Sequence, residues 1–485
     1  MLQNSHAPGN FCHTKRRTYN VLVSERAALK GKEMMTRGTN AGINRRDFLQ
    51  SSTVAATNLI LSPVVLGQTT ANKKPADINV ALIGAGAQGW VLLNSCLLIP
   101  GVRFKAVCDI WTKHNQKRAS GLLRKYRHEH NTYADYREML DKEKDLDAAI
   151  IATPDFWHAE HTVACLEAGL HVYCEKEMSN TLEGARRMVQ AAQKTGRLLQ
   201  IGHQRRSNPR YIFCYEKLIK QAKLLGQITA VNGQWNRAVN AGLGWPKGTE
   251  IDQETLKKSG FESMEQFRNW RWYKGLGGGP IVDLGSHQID IYNWFLDSRP
   301  VSVMASGRTN YYNKETHQWY DTVMAIYEYE TGQGPVSAYY QTISANSSQG
   351  YFESFLGTEG TLVVSEPATR CAVFREWWVL EAAWAKWVSK GYIEQEEGLD
   401  QPEDKEAVGE IRVPSPQPPK YKILVTMDEK IHQPHLANFF DAIRGKAKLN
   451  CPAEIGYETA VTVLKVNEAA EKGQKLKFKP EEFKV

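Results

Sequence analysis

At 485 residues the chain is too long for one ordinary core, so two domains plus extensions are expected. A content of 42% hydrophobic and 24% charged residues is that of a soluble globular protein. The net charge of +8 is unevenly spread: residues 1–68 hold nine Lys/Arg against three Asp/Glu, which places +6 there and +2 in everything after. A nucleic-acid binder keeps its basic residues in the folded part; this chain does not, which argues against a nucleic-acid partner.

The first feature in chain order is Asn44-Arg45-Arg46-Asp47-Phe48-Leu49-Gln50, followed by a mildly apolar stretch from Ser51 to Leu66. Paired arginines before Phe-Leu resemble the twin-arginine export signal of bacteria. Thr53, Thr57, Asn58, Ser62 and Pro63 make the apolar stretch a poor membrane-spanning helix, so no stable membrane insertion is expected. Residues 1–76 are therefore taken as leader and linker, with cleavage after Gly67 or Ala71 and with Met34 and Met35 as further candidate starts. The expected route is the twin-arginine translocase and the destination periplasmic or otherwise extracytoplasmic; without a working leader it is cytoplasmic. Eight cysteines (Cys12, Cys96, Cys108, Cys165, Cys174, Cys214, Cys371, Cys451) form no C-x-x-C pair and no zinc spacing, which predicts buried free thiols and no metal site.

Residues 77–203 alternate strand and helix, the pattern of a doubly wound parallel sheet in an α/β fold. An apolar run, Ile78 to Ile83, breaks into Gly84-Ala85-Gly86-Ala87-Gln88-Gly89, a G-x-G-x-x-G turn into a helix spanning Gln88 to Leu98. Gly84 suits the tight turn, Gly86 lets backbone approach a pyrophosphate, and Gly89 lets helix and sheet pack closely. The free N–H groups of the helix start would face the phosphates. The next strand, Val102 to Val107, leads to Asp109, where a carboxylate suits a ribose diol and repels a 2′-phosphate; NAD is favoured over NADP. Later strands end at Thr153-Pro154 and at Glu175-Lys176, Asn180 with Glu183 predicts a capped helix to Thr195, and Leu198 to Gly202 closes the series before Gln204.

Residues 204–485 change pattern. Ile228–Trp235, Ser302–Tyr311, Thr322–Tyr329, Val336–Ile343, Phe352–Leu356 and Thr361–Val364 are strand-like, several with period-two alternation, which predicts an α+β domain on a large, mostly antiparallel sheet. Trp377–Tyr392, His435–Arg444 and Tyr457–Lys472 are helical, and Glu394 to Pro419 is an acidic, proline-containing loop. A glycine block runs from Gly277 to Gly279 into Pro280-Ile281-Val282-Asp283-Leu284-Gly285-Ser286-His287-Gln288-Ile289-Asp290. If Ile281 to Leu296 is one helix, Asp283, His287 and Asp290 share a face. A carboxylate one turn from a histidine suits a general acid/base, although such a histidine is as often satisfied by its helix neighbours. Lys176 closes a core strand, where a cation can polarise a hydroxyl or carbonyl; a surface lysine is the plainer alternative. Arg271 and Trp272 offer a hydroxyl partner and an aromatic face for sugar C–H groups, and Asp290 is a further candidate at the substrate.

Together these motifs resemble the glucose-fructose oxidoreductase, inositol dehydrogenase and MocA family of sugar dehydrogenases, from about Ile78 to Lys472. The marks are the glycine turn at Gly84, Thr153-Pro154 with His158, Glu175-Lys176, the block from Gly277 to His287, and Gly357-Thr358-Glu359-Gly360. The resemblance implies that Lys176, Asp283 and His287 surround the hydride-transfer site, with either Lys176 or His287 as base and Asp283 orienting the pair. It implies cofactor or substrate neighbours at Thr153, Pro154, His158, Glu175, Gln204 and Arg206. Similar proteins have Pro after the lysine and often hold that bond cis; here it is Glu177, and a non-proline cis bond costs about 3 kcal/mol, so a trans bond and a shifted lysine are expected.

The implied activity is hydride transfer at a carbohydrate hydroxyl or keto group, with a tightly held cofactor if the protein is exported. NAD-dependent glycoside hydrolysis by transient oxidation and elimination is the second expectation, and a non-catalytic dinucleotide sensor the third. Relatives pair their open sheet faces, which implies a homodimer or homotetramer.

Overall fold

The computed structural model describes residues 77–238, 242–396 and 418–485. The twin-arginine segment, Cys12 and most of the acidic loop expected at 394–419 lie outside the described residues.

Six parallel strands form the first sheet: β1 (Ile78–Ile83), β2 (Val102–Cys108), β3 (Asn131–Tyr133), β4 (Ala148–Ile151), β5 (His171–Cys174) and β6 (Leu199–Ile201), in the order β3-β2-β1-β4-β5-β6. β1 and β4 are apolar along nearly their whole length because helices cover both faces. On one face Val80 and Leu82 pack with Leu92, Leu93, Leu436, Phe439 and Phe440. The last three come from helix Gln433–Ile443, so the far end of the chain returns to cover the first sheet. The strand order reverses between β1 and β4, opening a crevice at the carboxyl ends of the strands.

The second sheet has ten strands: β7 (Ile228–Asn236), β8 (Pro300–Arg308), β9 (Thr322–Thr331), β10 (Gly334–Ile343), β11 (Tyr351–Gly357), β12 (Gly360–Val364), β13 (Ala372–Arg375), β14 (Ile393–Gln395), β15 (Lys420–Ile423) and β16 (Leu476–Lys477). It is antiparallel except where β7 runs parallel to β10. Alternation decides its faces: Val323, Ala325, Tyr327 and Tyr329 of β9 are buried, while Met324 and Ile326 face outward. The inner face packs on helices Gly285–Leu296 and Ala453–Lys472.

Three local expectations are corrected. The helix expected over Ile281 to Leu296 is interrupted at Leu284, giving Gly279–Asp283 and Gly285–Leu296. The helix after β5 is capped by Thr181, whose hydroxyl accepts the Gly184 N–H at 3.1 Å, because Asn180 instead donates to the Gly275 carbonyl at 2.7 Å. The aromatic helix is confined to Glu381–Ser389, leaving Trp377 and Trp378 exposed ahead of it.

One polar pair ties the two layers together. Arg206 Nε donates to both oxygens of Asp290, at 2.8 and 2.9 Å, and Thr459 donates to the same carboxylate at 3.0 Å. Removing one partner leaves the other charge buried. Asp290→Ala should therefore cost about 3–5 kcal/mol in denaturant unfolding, and an Arg206→Met/Asp290→Leu double variant should regain most of it. Equal losses in the single and double variants would show that the pair itself, and not the stranded charge, carries the stability.

Candidate active site

The crevice holds two adjoining cavities. A groove of about 480 Å³ follows the carboxyl ends of the first sheet, and a chamber of about 490 Å³ lies beside it against the second domain. Gln88, Glu175, Lys176 and Arg271 line both.

Local sequence builds the groove. Gly84 has φ +86°, and a Cβ there would lie 2.7 Å from the Ala152 carbonyl carbon. At Gly89 a Cβ would lie 1.9 Å from the Gly84 carbonyl oxygen, so only glycine lets the helix Ala87–Cys96 start against the turn. Its N-cap residue, Gly86, has no side chain to satisfy the first amides and lines the groove with Ala87 and Gln88. Asp109 lines it too, accepting the N–H groups of Ala85 and Trp111, each at 2.7 Å, and the Asn115 amide at 3.2 Å. Burial raises the Asp109 carboxyl and these bonds oppose that rise. Uncapped helix amides, side-chain-free backbone at Gly86 and a carboxylate at the end of β2 fit a dinucleotide.

The opposite wall belongs to the second domain. Leu243, Phe261, Phe267, Arg268 and Trp270 face the groove across from the glycine turn. Trp111 shares an apolar cluster with Ile251, Leu256, Phe261, Met264 and Trp270, and Phe156 joins it. Two indoles cross the seam: Trp111 donates to the Thr249 carbonyl at 2.5 Å and Trp157 to the Ser259 carbonyl at 3.0 Å. The stretch from 243 to 271 is a wall of the groove and roofs it.

In the chamber Lys176, from the end of β5, donates to the Asp283 carbonyl and to its carboxylate at 3.2 Å. Arg271 lies 3.0 Å and Arg237 3.6 Å from the same carboxylate. Burial alone would raise the Asp283 carboxyl, but Arg271, Lys176 and Arg237 hold it far below the usual carboxylate range. Asp283 therefore faces Lys176 across the domain seam and makes no bond to His287, against the expectation that one helical face would join them. His287 lines the chamber 5.5 Å from the Trp235 ring, and its Nδ1 has no hydrogen-bond partner. Burial, then the charges of Lys176 and Arg205, keep the imidazole neutral at physiological pH.

Other expected residues divide. Thr153 and Pro154 line the groove, Glu175 lines both cavities, and Gln204 and Trp272 line the chamber. His158 does not: its ring nitrogens face the carbonyls of Thr153 and Glu177, both at 2.7 Å, and it braces the ends of β4 and β5. Arg206 and Asp290, expected at cofactor and substrate, are spent on each other and line neither cavity. The Lys176–Glu177 bond is cis, which corrects the expected trans bond. Glu177 is fully buried there, accepting the Met178 N–H at 2.6 Å while its carbonyl faces His158, and these contacts set the chain direction.

Arg237, Arg268, Glu366 and His432 also line the chamber, and no motif marked them. His432 precedes helix Gln433–Ile443, and its Nε2 lies 3.0 Å from the Gln88 amide nitrogen, which also donates to Glu175 at 3.1 Å. Among the described residues no group of three or more His, Cys, Asp or Glu is placed to hold a metal ion, and the seven described cysteines are buried free thiols.

Residues 78–203 match the family profile described as "Oxidoreductase family, NAD-binding Rossmann fold", and residues 217–363 match "GFO/IDH/MocA C-terminal domain". The chain belongs to the GFO/IDH/MocA oxidoreductase family. It carries that family's NAD-binding Rossmann domain, followed by a second domain on a large, mostly antiparallel sheet. Among curated relatives, inositol 2-dehydrogenase of Salmonella typhimurium is 36% identical over 159 residues, 32% of this chain and 45% of that protein. A glycosyl hydrolase family 109 protein of Shewanella baltica is 25% identical over 173 residues, 32% of this chain and 38% of the relative. The chain thus spans less than half the length of either. In fold it is similar to levoglucosan dehydrogenase in complex with NADH and L-sorbose, with a TM-score of 0.60 at 18% identity, covering 84% of this chain and 100% of that one.

Burial pushes the Glu177 carboxyl up to about 8 from its ordinary 4.5. Between those values the unfolded chain has lost a proton that the folded chain keeps, so stability falls as pH rises through that window and levels off above it. Glu177→Gln should flatten this slope, raising Tm relative to wild type more at pH ~8 than at pH ~5. An equal shift at both pH values would mean that the carboxyl is ionised in the fold.

Proposed function

We propose that this protein is an NAD-dependent oxidoreductase acting on a hydroxyl or keto carbon of a carbohydrate. The observation that carries the reading is the meeting of Lys176, Asp283 and His287 where the dinucleotide groove opens into the chamber. Bound nicotinamide would supply the hydride acceptor. Lys176, pinned by Asp283, places a cation where alkoxide charge develops. His287 is neutral and lines the chamber, so it can take the hydroxyl proton while Lys176 stays in its ion pair. Trp235 and Trp272 offer apolar faces to sugar C–H groups and exclude water.

The roof over residues 243–271 supports a cofactor that stays bound through turnover. That suits export by the twin-arginine route, since free nicotinamide is scarce outside the cytoplasm. A resident cofactor favours redox-neutral turnover, and the alignment with a glycosyl hydrolase family 109 protein supports a second reading, glycoside cleavage by transient oxidation, elimination and re-reduction. The outward Met304, Met324 and Ile326 side chains of the second sheet suit a homodimer or homotetramer.

Mass spectrometry of purified protein should find bound nicotinamide and no residue preceding the cleavage site. Release of a nitrophenol from a nitrophenyl glycoside without added cofactor selects the second reading; nicotinamide reduction by free sugar selects the first. Lys176→Met should lower kcat by about 10²–10³-fold with nicotinamide still bound. Unchanged turnover in that variant would remove Lys176 from the chemistry. Asp109→Ala should weaken NAD and spare NADP; the reverse would overturn the NAD assignment.

A further inference from the structure

Resting on the oxidoreductase reading, we propose that the carbohydrate accepted by the chamber is a sugar acid whose carboxylate is received by Arg237. Lys176, Arg271 and Arg237 converge on the single carboxylate of Asp283, at 3.2, 3.0 and 3.6 Å, and Asp283 stays ionised; Asp155, buried in the adjoining groove with its carboxyl pushed up to about 7, acts on Lys176 and Arg271 as well. A fourth cation, Arg268, donates to the Gly244 carbonyl and stacks over Trp111, with no carboxylate in ion-pair range among the described residues.

The other acids on the chamber wall do not make up the difference. Glu366 is answered from behind by Arg205 at 3.4 Å and by the Gln204 amide at 3.0 Å. Glu175 accepts from Gln88 and from the Tyr173 hydroxyl and has no cation within 4 Å among the described residues. It offsets one charge at a distance. His287 is neutral and adds nothing to either side.

The phosphates of a dinucleotide can answer Arg268 and Arg271, which line both cavities. Arg237 is different. It lines the chamber alone, one residue beyond β7 on the wall that carries Trp235. Its Asp283 contact is the longest of the three, and half its side chain is exposed, which leaves guanidinium surface for a ligand. A guanidinium fork matches a carboxylate in a bidentate pair. A positive cleft also concentrates an anionic substrate over a neutral one. The chamber thus has an aromatic face for the ring, the Lys176–His287 pair for the reacting carbon, and a cation for an acidic substituent.

The test uses the full chain with NAD and compares a panel of hexuronates with the matching neutral hexoses and hexose phosphates, following nicotinamide reduction. Hexuronates should be favoured at least tenfold in kcat/KM. Arg237→Gln should raise the hexuronate KM about tenfold, several-fold more than it raises the KM of any hexose. Equal or better use of a neutral hexose, or of a hexose phosphate, overturns the inference and leaves the oxidoreductase reading standing. So does an Arg237→Gln variant that slows acid and neutral sugars alike. Failure of every sugar in the panel, with nicotinamide bound, overturns both.

Discussion

The ion pair between Lys176 and Asp283 is the constraint on which the site depends. Lys176 stands at the carboxyl end of β5 in the first domain; Asp283 ends a short helix of the second. Asp283 has Arg271 and Arg237 beside it in its own domain, whereas Lys176 meets its carboxylate only across the seam, so docking the domains completes the corner. The cost of leaving Lys176 buried and unpaired favours that geometry. The buried Glu177 and the bracing imidazole of His158 set the direction in which the lysine leaves its strand.

Around that pair the structure separates wet from dry. The roof over residues 243–271 brings an apolar cluster and two indole N–H bonds down on the dinucleotide groove. Water exclusion strengthens every charge interaction in the corner.

Much of the fold was legible in sequence because its determinants are local. Alternating apolar strands and helices gave the parallel sheet, period-two alternation in β9 and β10 gave the second sheet, and Gly84-x-Gly86-x-x-Gly89 marked the turn under the cofactor groove. A glycine motif is readable because backbone sterics act over a few residues. The failures were local in sequence but decided elsewhere. Asn180 has the composition of a cap, yet Gly275, distant in sequence, takes its side chain. Asp283 and His287 have helical spacing, yet a break at Leu284 and three cations draw the carboxylate away. Arg206 and Asp290 sit beside motif residues, yet they pair with each other, and Thr459 also donates to the carboxylate.

The sequence by itself determined the sheet order's raw material, the glycine turn, the carboxylate at Asp109 and the chemical types of the side chains at Lys176, Asp283 and His287, since each follows from short-range sterics or residue chemistry. Tertiary structure alone decided which partners those side chains would meet. A charged group's direction is chosen by the nearest opposite charge or open donor once water is gone, and here those lie a hundred residues away or on the other domain. Lys176 with Asp283, Gln88 with His432, and Arg237 at the chamber wall could be placed only by the folded chain.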